Sequence, residues 1–262
     1  MSKRIDILNS FYRAIDENAR LTQSRQGQLE YLTSMHFIRQ YAAAGSRILE
    51  IGAGTGRYAI ALAQADYQVT AVELVQHNLD VLRENGAGLS HLTALQGDAL
   101  DLSRFQDNSF DATLLFGPLY HLYTPEDVHR ALDEAIRVTR PGGVLFTAFL
   151  SVHAILFNNY LNSRLPAGLA ENFDADHRVR HFEEQLFTGY DVPEFEALFA
   201  GKPVSLLTTA ATDSILELAE GRSDFALSDE DFAAFAAHHL AFCEKRELLG
   251  CSSHLLTICQ KE

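Results

Sequence analysis

No apolar run in this chain approaches the roughly 18–20 residues that a membrane-spanning helix requires, so a membrane is not expected as a partner. The first residues, Met1-Ser2-Lys3-Arg4-Ile5-Asp6, place no apolar stretch behind their basic start, and without a secretory signal a cytoplasmic location is expected. Cysteine is scarce: Cys243, Cys251 and Cys259 are all there is. They form no CxxC pair and an odd number does not close a full disulfide set, so reduced, mostly packed thiols are expected, with no metal site. Runs of Lys and Arg interleaved with aromatics are also missing, and the formal net charge is -14. Such a field repels a phosphate backbone, which argues against nucleic acid and anionic membrane surfaces as partners. Internal repeats and low-complexity tracts are absent too.

What is present suits a packed protein. Hydrophobic residues make up 47% of the chain and charged residues 21%, the profile of a globular core. A length of 262 residues fits one large domain, or one domain with a sizeable insertion. From Arg47 to about Leu150 short apolar runs alternate with helical patterns, which predicts a parallel α/β sheet. Strands are expected at 47–51, 68–73, 92–96, 110–116 and 144–150, and helices at 57–64, 76–84 and 125–138. Thr124 suits the cap of that last helix and Pro125 its first turn, while Arg140-Pro141-Gly142-Gly143 reads as a turn. Residues 1–45 read as a helical N-terminal cap ahead of the domain at 46–262. Between 151 and 200 the strand-helix rhythm lapses, and an inserted helical lid over the site is expected. It resumes with strands at 204–209 and 254–258 and helices at 214–219 and 229–246.

The strongest local pattern is Glu50-Ile51-Gly52-Ala53-Gly54-Thr55-Gly56, set between a strand and a helix. Glycines there let the backbone turn sharply and let a ligand lie against it without meeting a Cβ. The spacing puts Arg57 where a dinucleotide fingerprint has its third glycine, and the Lys-Ser/Thr pair of a phosphate loop is missing, so neither phosphate-binding reading fits. Glu73 ends the second strand, at the edge of an open parallel sheet that borders the ligand crevice, where a carboxylate can accept both hydrogen bonds of a ribose diol. Gly97-Asp98-Ala99 follows the third strand, where Asp98 can accept a hydrogen bond from an exocyclic amine. An exposed strand-end acid or a turn aspartate is the bland reading of each; their sequence along one sheet edge favours the ligand reading.

These motifs, with Phe110-Asp111 opening the fourth strand and Arg137-Val138-Thr139-Arg140-Pro141-Gly142-Gly143 before the fifth, resemble a class I methyltransferase dependent on S-adenosylmethionine (SAM), over roughly residues 40–150. Arg20-Leu21-Thr22, Gly117-Pro118-Leu119-Tyr120-His121-Leu122 and His254-Leu255-Leu256 are similar to a bacterial methyltransferase-type-11-like subgroup. The resemblance implies a Rossmann-like, mostly parallel seven-stranded sheet with the last strand antiparallel and helices on both faces. It also implies SAM as cofactor, with S-adenosylhomocysteine as product, and a small-molecule acceptor. By the same resemblance Gly52, Gly54 and Gly56 border the methionine part and ribose, Glu50 helps hold the ammonium, Glu73 binds the ribose hydroxyls, Leu74 lies against adenine, Asp98 and Ala99 recognise the adenine edge, and Phe116 and Gly117 line the pocket beside the sulfonium. A rim rich in carboxylates suits a nucleoside that has two cationic centres and no phosphate.

The acceptor side is less defined. Where amino-methylating enzymes have an Asn/Asp-Pro-Pro-aromatic motif, this chain has Phe116-Gly117-Pro118-Leu119-Tyr120, which counts against DNA-base or glutamine methylation. No cluster of metal-binding acids supports a magnesium-dependent mechanism at this point. His121 is the candidate general base, being titratable near neutrality and next to the expected methyl position, against the bland reading of a backbone-bonded histidine. Tyr12, Tyr120 and Tyr123 are candidates for the acceptor pocket. His177 and His181, spaced to share a helix face, are assigned to the pocket lining rather than to a metal. Arg25, in the segment before the sheet, is the expected cation for the methionine carboxylate. Two readings compete with methyl transfer: an NAD-type oxidoreductase, which the glycine spacing disfavours, and a non-catalytic SAM-binding protein on the same fold. A protein acceptor needs an open groove, where the long insertion suggests a closed pocket. Neither the oligomeric state nor the acceptor atom is encoded in these patterns.

Overall fold

The computed structural model describes residues 3–15, 17–161, 163–182 and 185–262, so Met1 and Ser2 of the N-terminal cap lie outside the described residues. Three helices come first: α1 (Lys3–Ala14), α2 (Arg20–Gln23) and α3 (Arg25–Tyr41). The alternating stretch follows as β1 (Arg47–Ile51), α4 (Arg57–Gln64), β2 (Gln68–Glu73), α5 (Gln76–Asn85), β3 (Leu92–Gln96), β4 (Phe110–Leu115), a 3-10 turn at Pro118–His121, α6 (Pro125–Val138) and β5 (Thr139–Ser151). Then come α7 (Val152–Tyr160), α8 (Leu165–Asn172), β6 (Gly189–Tyr190), α9 (Val192–Ala197), β7 (Val204–Ala211), α10 (Leu216–Glu220), α11 (Asp229–Phe242), α12 (Arg246–Leu249) and β8 (His254–Lys261).

The main sheet has the order β3-β2-β1-β4-β5-β8-β7, with the two-residue β6 paired beside β5. Strands β1 to β5 are parallel, and β8 runs antiparallel between β5 and β7. The α/β class, the mostly parallel sheet and its antiparallel last strand are therefore all observed. Central strands are apolar on both faces because helices cover both; Ile48, Leu49 and Leu114 are fully buried. Helix α6 shows how the packing is written: Val128, Ala131, Leu132, Ala135, Ile136 and Val138 recur at helical spacing and are the buried face. Thr124 caps it, accepting a hydrogen bond from the Asp127 amide at 3.2 Å.

Several boundaries shift: β7 and β8 run on to Ala211 and Lys261, α10 starts at Leu216, and two other differences alter the elements themselves. The turn expected at residues 140–143 lies inside β5, which starts at Thr139: the register with β4 jumps from Phe110↔Thr139 to Ala112↔Val144, and the extra residues are taken up as a bulge. The helix expected over 229–246 stops at Phe242 and restarts at Arg246.

Strand order reverses at β1, whose neighbours are β2 on one side and β4 on the other. In an open α/β sheet a ligand crevice lies outside the carboxyl ends of the strands at such a point. No helix among the described residues is long and apolar enough to cross a membrane.

Candidate functional site

The carboxyl ends of β1, β2 and β3 bring the sequence-derived motifs to one rim. After β1 the Gly52 and Ala53 amides both donate to the Val72 carbonyl, at 2.8 and 3.1 Å, turning the chain toward α4. Gly52 has φ +81°, and a Cβ there would stand 2.4 Å from the Phe116 carbonyl oxygen. No other residue fits that position without moving the backbone. Glu73 is buried at the end of β2, where Oε2 accepts from the Gly54 amide and Oε1 from the Val75 amide, each at 2.8 Å. Burial raises its pKa to about 6, partly offset by those amides, so it is charged at neutral pH. Glu50 is also buried, and its Oε2 has no hydrogen-bond partner. Burial pushes its pKa up to about 8.

Three clefts meet at this rim. The first is lined by Glu50, Gly52, Gly54, Thr55, Tyr58, Phe116 and Gly117 with Glu17, Arg20 and Glu30 from the N-terminal segment. The second, on the other side of Gly52 and Phe116, is lined by Glu73, Leu74, Asp98, Ala99 and His121 under Arg4, Leu8 and Tyr12 of α1. Asp98 Oδ1 accepts from the Leu100 amide at 3.1 Å, while Oδ2 forms an ion pair with Arg4. The third is a chamber of about 930 Å³ including its mouth, between α1 and α7. Phe11, Ile15, Leu150, Ala154, Ile155 and Phe187 give it an apolar side. It joins the first cleft through shared walls at Glu17, Arg20, Tyr120 and His254.

Several expected residues do come together here: Glu50, Gly52, Gly54, Glu73, Leu74, Asp98, Ala99, Phe116, Tyr12 and Tyr120 all line one of the three clefts. Gly56 supports from behind: it caps α4 with φ +90°, and a Cβ would stand 2.1 Å from Leu82 Cδ1.

Other expectations are corrected. Arg25 turns away from the rim, stacking over Phe232 at 4.7 Å and pairing with Asp229 of α11. Arg20 stands in the first cleft instead, with Nε 2.9 Å from Glu17 and Nη1 2.8 Å from Glu30. His121 is not free to act as a base. Its Nδ1 donates to the Leu186 carbonyl at 2.7 Å, which fixes the tautomer, and its Nε2 accepts from the Tyr12 hydroxyl at 3.0 Å. Burial lowers its pKa to about 4, so it is neutral across the physiological range. Tyr123 is buried with its hydroxyl on the Leu186 carbonyl at 3.3 Å, and lines none of the three clefts. His177 and His181 share no helix face, since His177 has φ 60° in an exposed turn and the chain there is not helical. His181 bonds Thr188 Oγ1 at 2.6 Å and Glu194 at 3.1 Å, away from the chamber. Arg4, Glu17, Glu30, Asp213 and His254 went unassigned in the sequence. Their approach depends on helix facing and on the β7/β8 pairing, which no local spacing reports.

Comparison with known proteins bears on the stretch from β1 to β5. Residues 49–147 match a family described as "Methyltransferase domain". They form a class I methyltransferase domain, with SAM as its cofactor. The domain is 39% identical over 100 residues to a demethylmenaquinone methyltransferase of Clavibacter sepedonicus, covering 38% of this chain and 39% of that protein. The matched stretch thus spans about two fifths of that relative's length. Among solved structures, a Pyrococcus horikoshii protein shares the fold with a TM-score of 0.62 at 17% identity, over 97% of this chain and 99% of the other. The 1,6-didemethyltoxoflavin-N1-methyltransferase of Burkholderia thailandensis, solved with its acceptor and S-adenosylhomocysteine, does so with a TM-score of 0.58 at 14% identity, over 98% of this chain and 88% of that one.

The rim of the methyltransferase domain fits SAM chemically. The unpartnered Glu50 Oε2 is a buried carboxylate oxygen that an ammonium would satisfy, and the cation would draw its pKa back down. Glu73 keeps lone pairs for a diol beyond the two amides it accepts. Arg20, which lines the first cleft together with Arg57, offers a guanidinium for a carboxylate.

Proposed function

We propose that this protein transfers a methyl group from SAM to a small, largely apolar acceptor bound in the chamber beside the cofactor cleft. One observation carries this reading: the chamber and the cleft have Glu17, Arg20, Tyr120 and His254 as a common wall, which would set an acceptor beside the cofactor's sulfonium end. Its cavity volume of about 320 Å³ falls at the lower end of small-molecule sites, typically about 300–1,000 Å³. A relative named demethylmenaquinone methyltransferase and a structural neighbour with 1,6-didemethyltoxoflavin bound support a small-molecule acceptor.

In this reading Glu50 holds the ammonium of SAM, Arg20 its carboxylate, Glu73 the ribose hydroxyls, and Leu74, Asp98 and Ala99 the adenine. The sulfonium supplies an electrophilic methyl group for in-line displacement. What the protein adds is alignment and exclusion of water, which can supply several kcal/mol, on the order of 7–11 in well-oriented systems. The N-terminal helices and the 151–200 segment serve as the cover: α1 contributes Phe11 and Tyr12, and α7 contributes Ala154, Ile155 and Asn158. The Tyr12–His121 hydrogen bond ties that cover to the turn after β4. His121 is a positioning residue, not the base.

The test is incubation with SAM and a panel of phenols, enols, quinols and amines, following S-adenosylhomocysteine by mass spectrometry with Glu73→Ala as control. Turnover with one acceptor class that fails in the variant supports methyl transfer. Binding of SAM without turnover on any class returns the non-catalytic reading.

A further inference from the structure

His254 lines both the cofactor cleft and the acceptor chamber. Two elements place it: β8, of which it is the first residue, and Asp213, two residues beyond the end of β7. The Asp213 carboxylate is fully buried and firmly held. Its Oδ1 accepts from the Ser252 hydroxyl at 2.5 Å and from the Ser253 and His254 amides at 2.9 and 3.1 Å. Its Oδ2 accepts from Gln26 Nε2 at 2.6 Å and from His254 Nδ1 at 2.7 Å. A carboxylate fixed in this way sets the imidazole by one nitrogen. Asp213 lines neither cleft, whereas His254 lines both, and with Nδ1 held by Asp213 the second ring nitrogen, Nε2, is the donor that His254 has left to offer a ligand.

Charged and titratable groups face the ring from every side: Glu30 on α3, Arg20 on α2, Glu17 before it, Tyr120 after β4, Asp213 after β7 and Glu217 on α10. Burial works against a charge on His254, but Glu30, with Oε2 3.9 Å from Nδ1, and Asp213 outweigh it and raise the pKa to about 9. Arg20, which pairs with Glu17 and Glu30, works against that charge, as the smallest of these effects. Glu217 is exposed at the outer rim. His254 is therefore a partly buried imidazolium on the wall that the cofactor cleft and the acceptor chamber share.

We propose that His254 receives the reacting oxygen of the acceptor as an oxyanion, which makes that acceptor an amphipathic compound with an acidic hydroxyl, a phenol or an enol. This rests on the methyl-transfer reading above. The hydroxyl's proton leaves to water on binding and His254 keeps its own. A lone pair of the oxyanion then forms the new O–C bond as the methyl carbon's bond to sulfur breaks, with that electron pair going to sulfur. The apolar side of the chamber takes the carbon skeleton, and Asp213 acts through His254 as a positioning residue.

The probe is 4-nitrophenol, whose anion and neutral form absorb at different wavelengths. It is titrated into the full chain saturated with S-adenosylhomocysteine, in chelator-containing buffer, at a pH below the probe's own pKa. The bound probe is expected to show the anion's band. Its affinity as anion is expected to fall as pH rises through about 9, where His254 loses its proton. His254→Gln should remove the band and weaken the anion's binding about tenfold or more, the worth of a charge-assisted hydrogen bond. Asp213→Asn should move the fall in affinity to lower pH, which a purely structural role for Asp213 does not predict. Should His254→Gln fail to fold, the pH series on the unaltered protein decides alone. Absence of binding, binding only as the neutral phenol, or an unchanged band in His254→Gln overturns the proposal. So does a band that appears only without chelator, which would assign it to a cation held by Asp213, Glu217 and His254, whose ligand atoms lie within 4.8 Å of one another. Uptake of S-adenosylhomocysteine is measured first: its failure sinks the methyl-transfer reading, whereas normal uptake with a failed probe sinks only the role of His254.

Discussion

The Gly54 amide donates to Glu73 Oε2 at 2.8 Å, so the glycine loop after β1 and the acid ending β2 are one unit rather than two neighbouring motifs. The carboxylate that receives a ribose also fixes the loop that borders it. Replacing Glu73 by Ala therefore removes ligand contacts and loosens the loop together. Hydrogen bonds to a charged group are worth about 1.5–3 kcal/mol each, so S-adenosylhomocysteine should bind on the order of 10²-fold more weakly by calorimetry. An affinity within a factor of three of the unaltered protein contradicts the assignment.

Glu50 makes an opposite pair of predictions. Its pKa is raised in the fold from 4.5 to about 8 by burial. The stability linked to its proton is present below pH 4.5 and is lost as pH rises through about 8, because the ionised form is buried with Oε2 unpartnered and only the Ala59 backbone hydrogen bond to offset it. Without ligand, Glu50→Gln should melt higher than the unaltered protein at pH 8 and much the same at pH 4.5. A gain of ~1 kcal/mol moves Tm by roughly 2–4 °C in a domain of this size. The same variant should bind S-adenosylhomocysteine more weakly. A variant less stable at pH 8 would show that Glu50 is structurally paired after all.

Arg20 and Arg25 are separable. Arg20→Ala should weaken S-adenosylhomocysteine about tenfold or more through the lost carboxylate contact. Arg25→Ala should leave that affinity unchanged, since its guanidinium serves Asp229 and Phe232 at the α3–α11 contact. Calorimetry on both variants checks the pair. A larger loss from Arg25→Ala would reinstate it at the site.

His121 predicts acid sensitivity rather than a base limb near neutrality. Burial depresses its pKa from 6.5 to about 4, so the stability linked to its neutral form is present above pH 6.5 and lost as pH falls toward 4. Melting curves of His121→Gln should depend less on pH between 4 and 6.5 than those of the unaltered protein. An equal slope would mean that His121 titrates normally in the fold.

The rim was legible in the sequence because each of its parts is local. Glycines at a strand-helix junction, an acid closing β2 and Gly97-Asp98 closing β3 each announce themselves within a few residues, and parallel pairing then puts them side by side. The cover was not legible in the same way. Arg20 and Arg25 lie five positions apart in similar surroundings, and only the facing of α2 and α3 against the sheet decides which reaches the cleft. His177 and His181 have helical spacing, but the chain turns at His177 with positive φ and does not form the helix. Asp213 and His254 are separated by 41 residues and meet only because β7 and β8 pair with Ala211 opposite Leu255. His121 lines the second cleft, and its environment, buried and bonded at both nitrogens, is a property of the packed turn that its local sequence does not report.

The most direct measurement is calorimetric titration of the purified, folded chain with S-adenosylhomocysteine, run beside Glu73→Ala. A cradle built from Glu50, Glu73, Asp98 and the glycine loop predicts saturable one-to-one binding that the variant loses by on the order of 10²-fold. Folded protein that takes up neither S-adenosylhomocysteine nor SAM would contradict the account at its base.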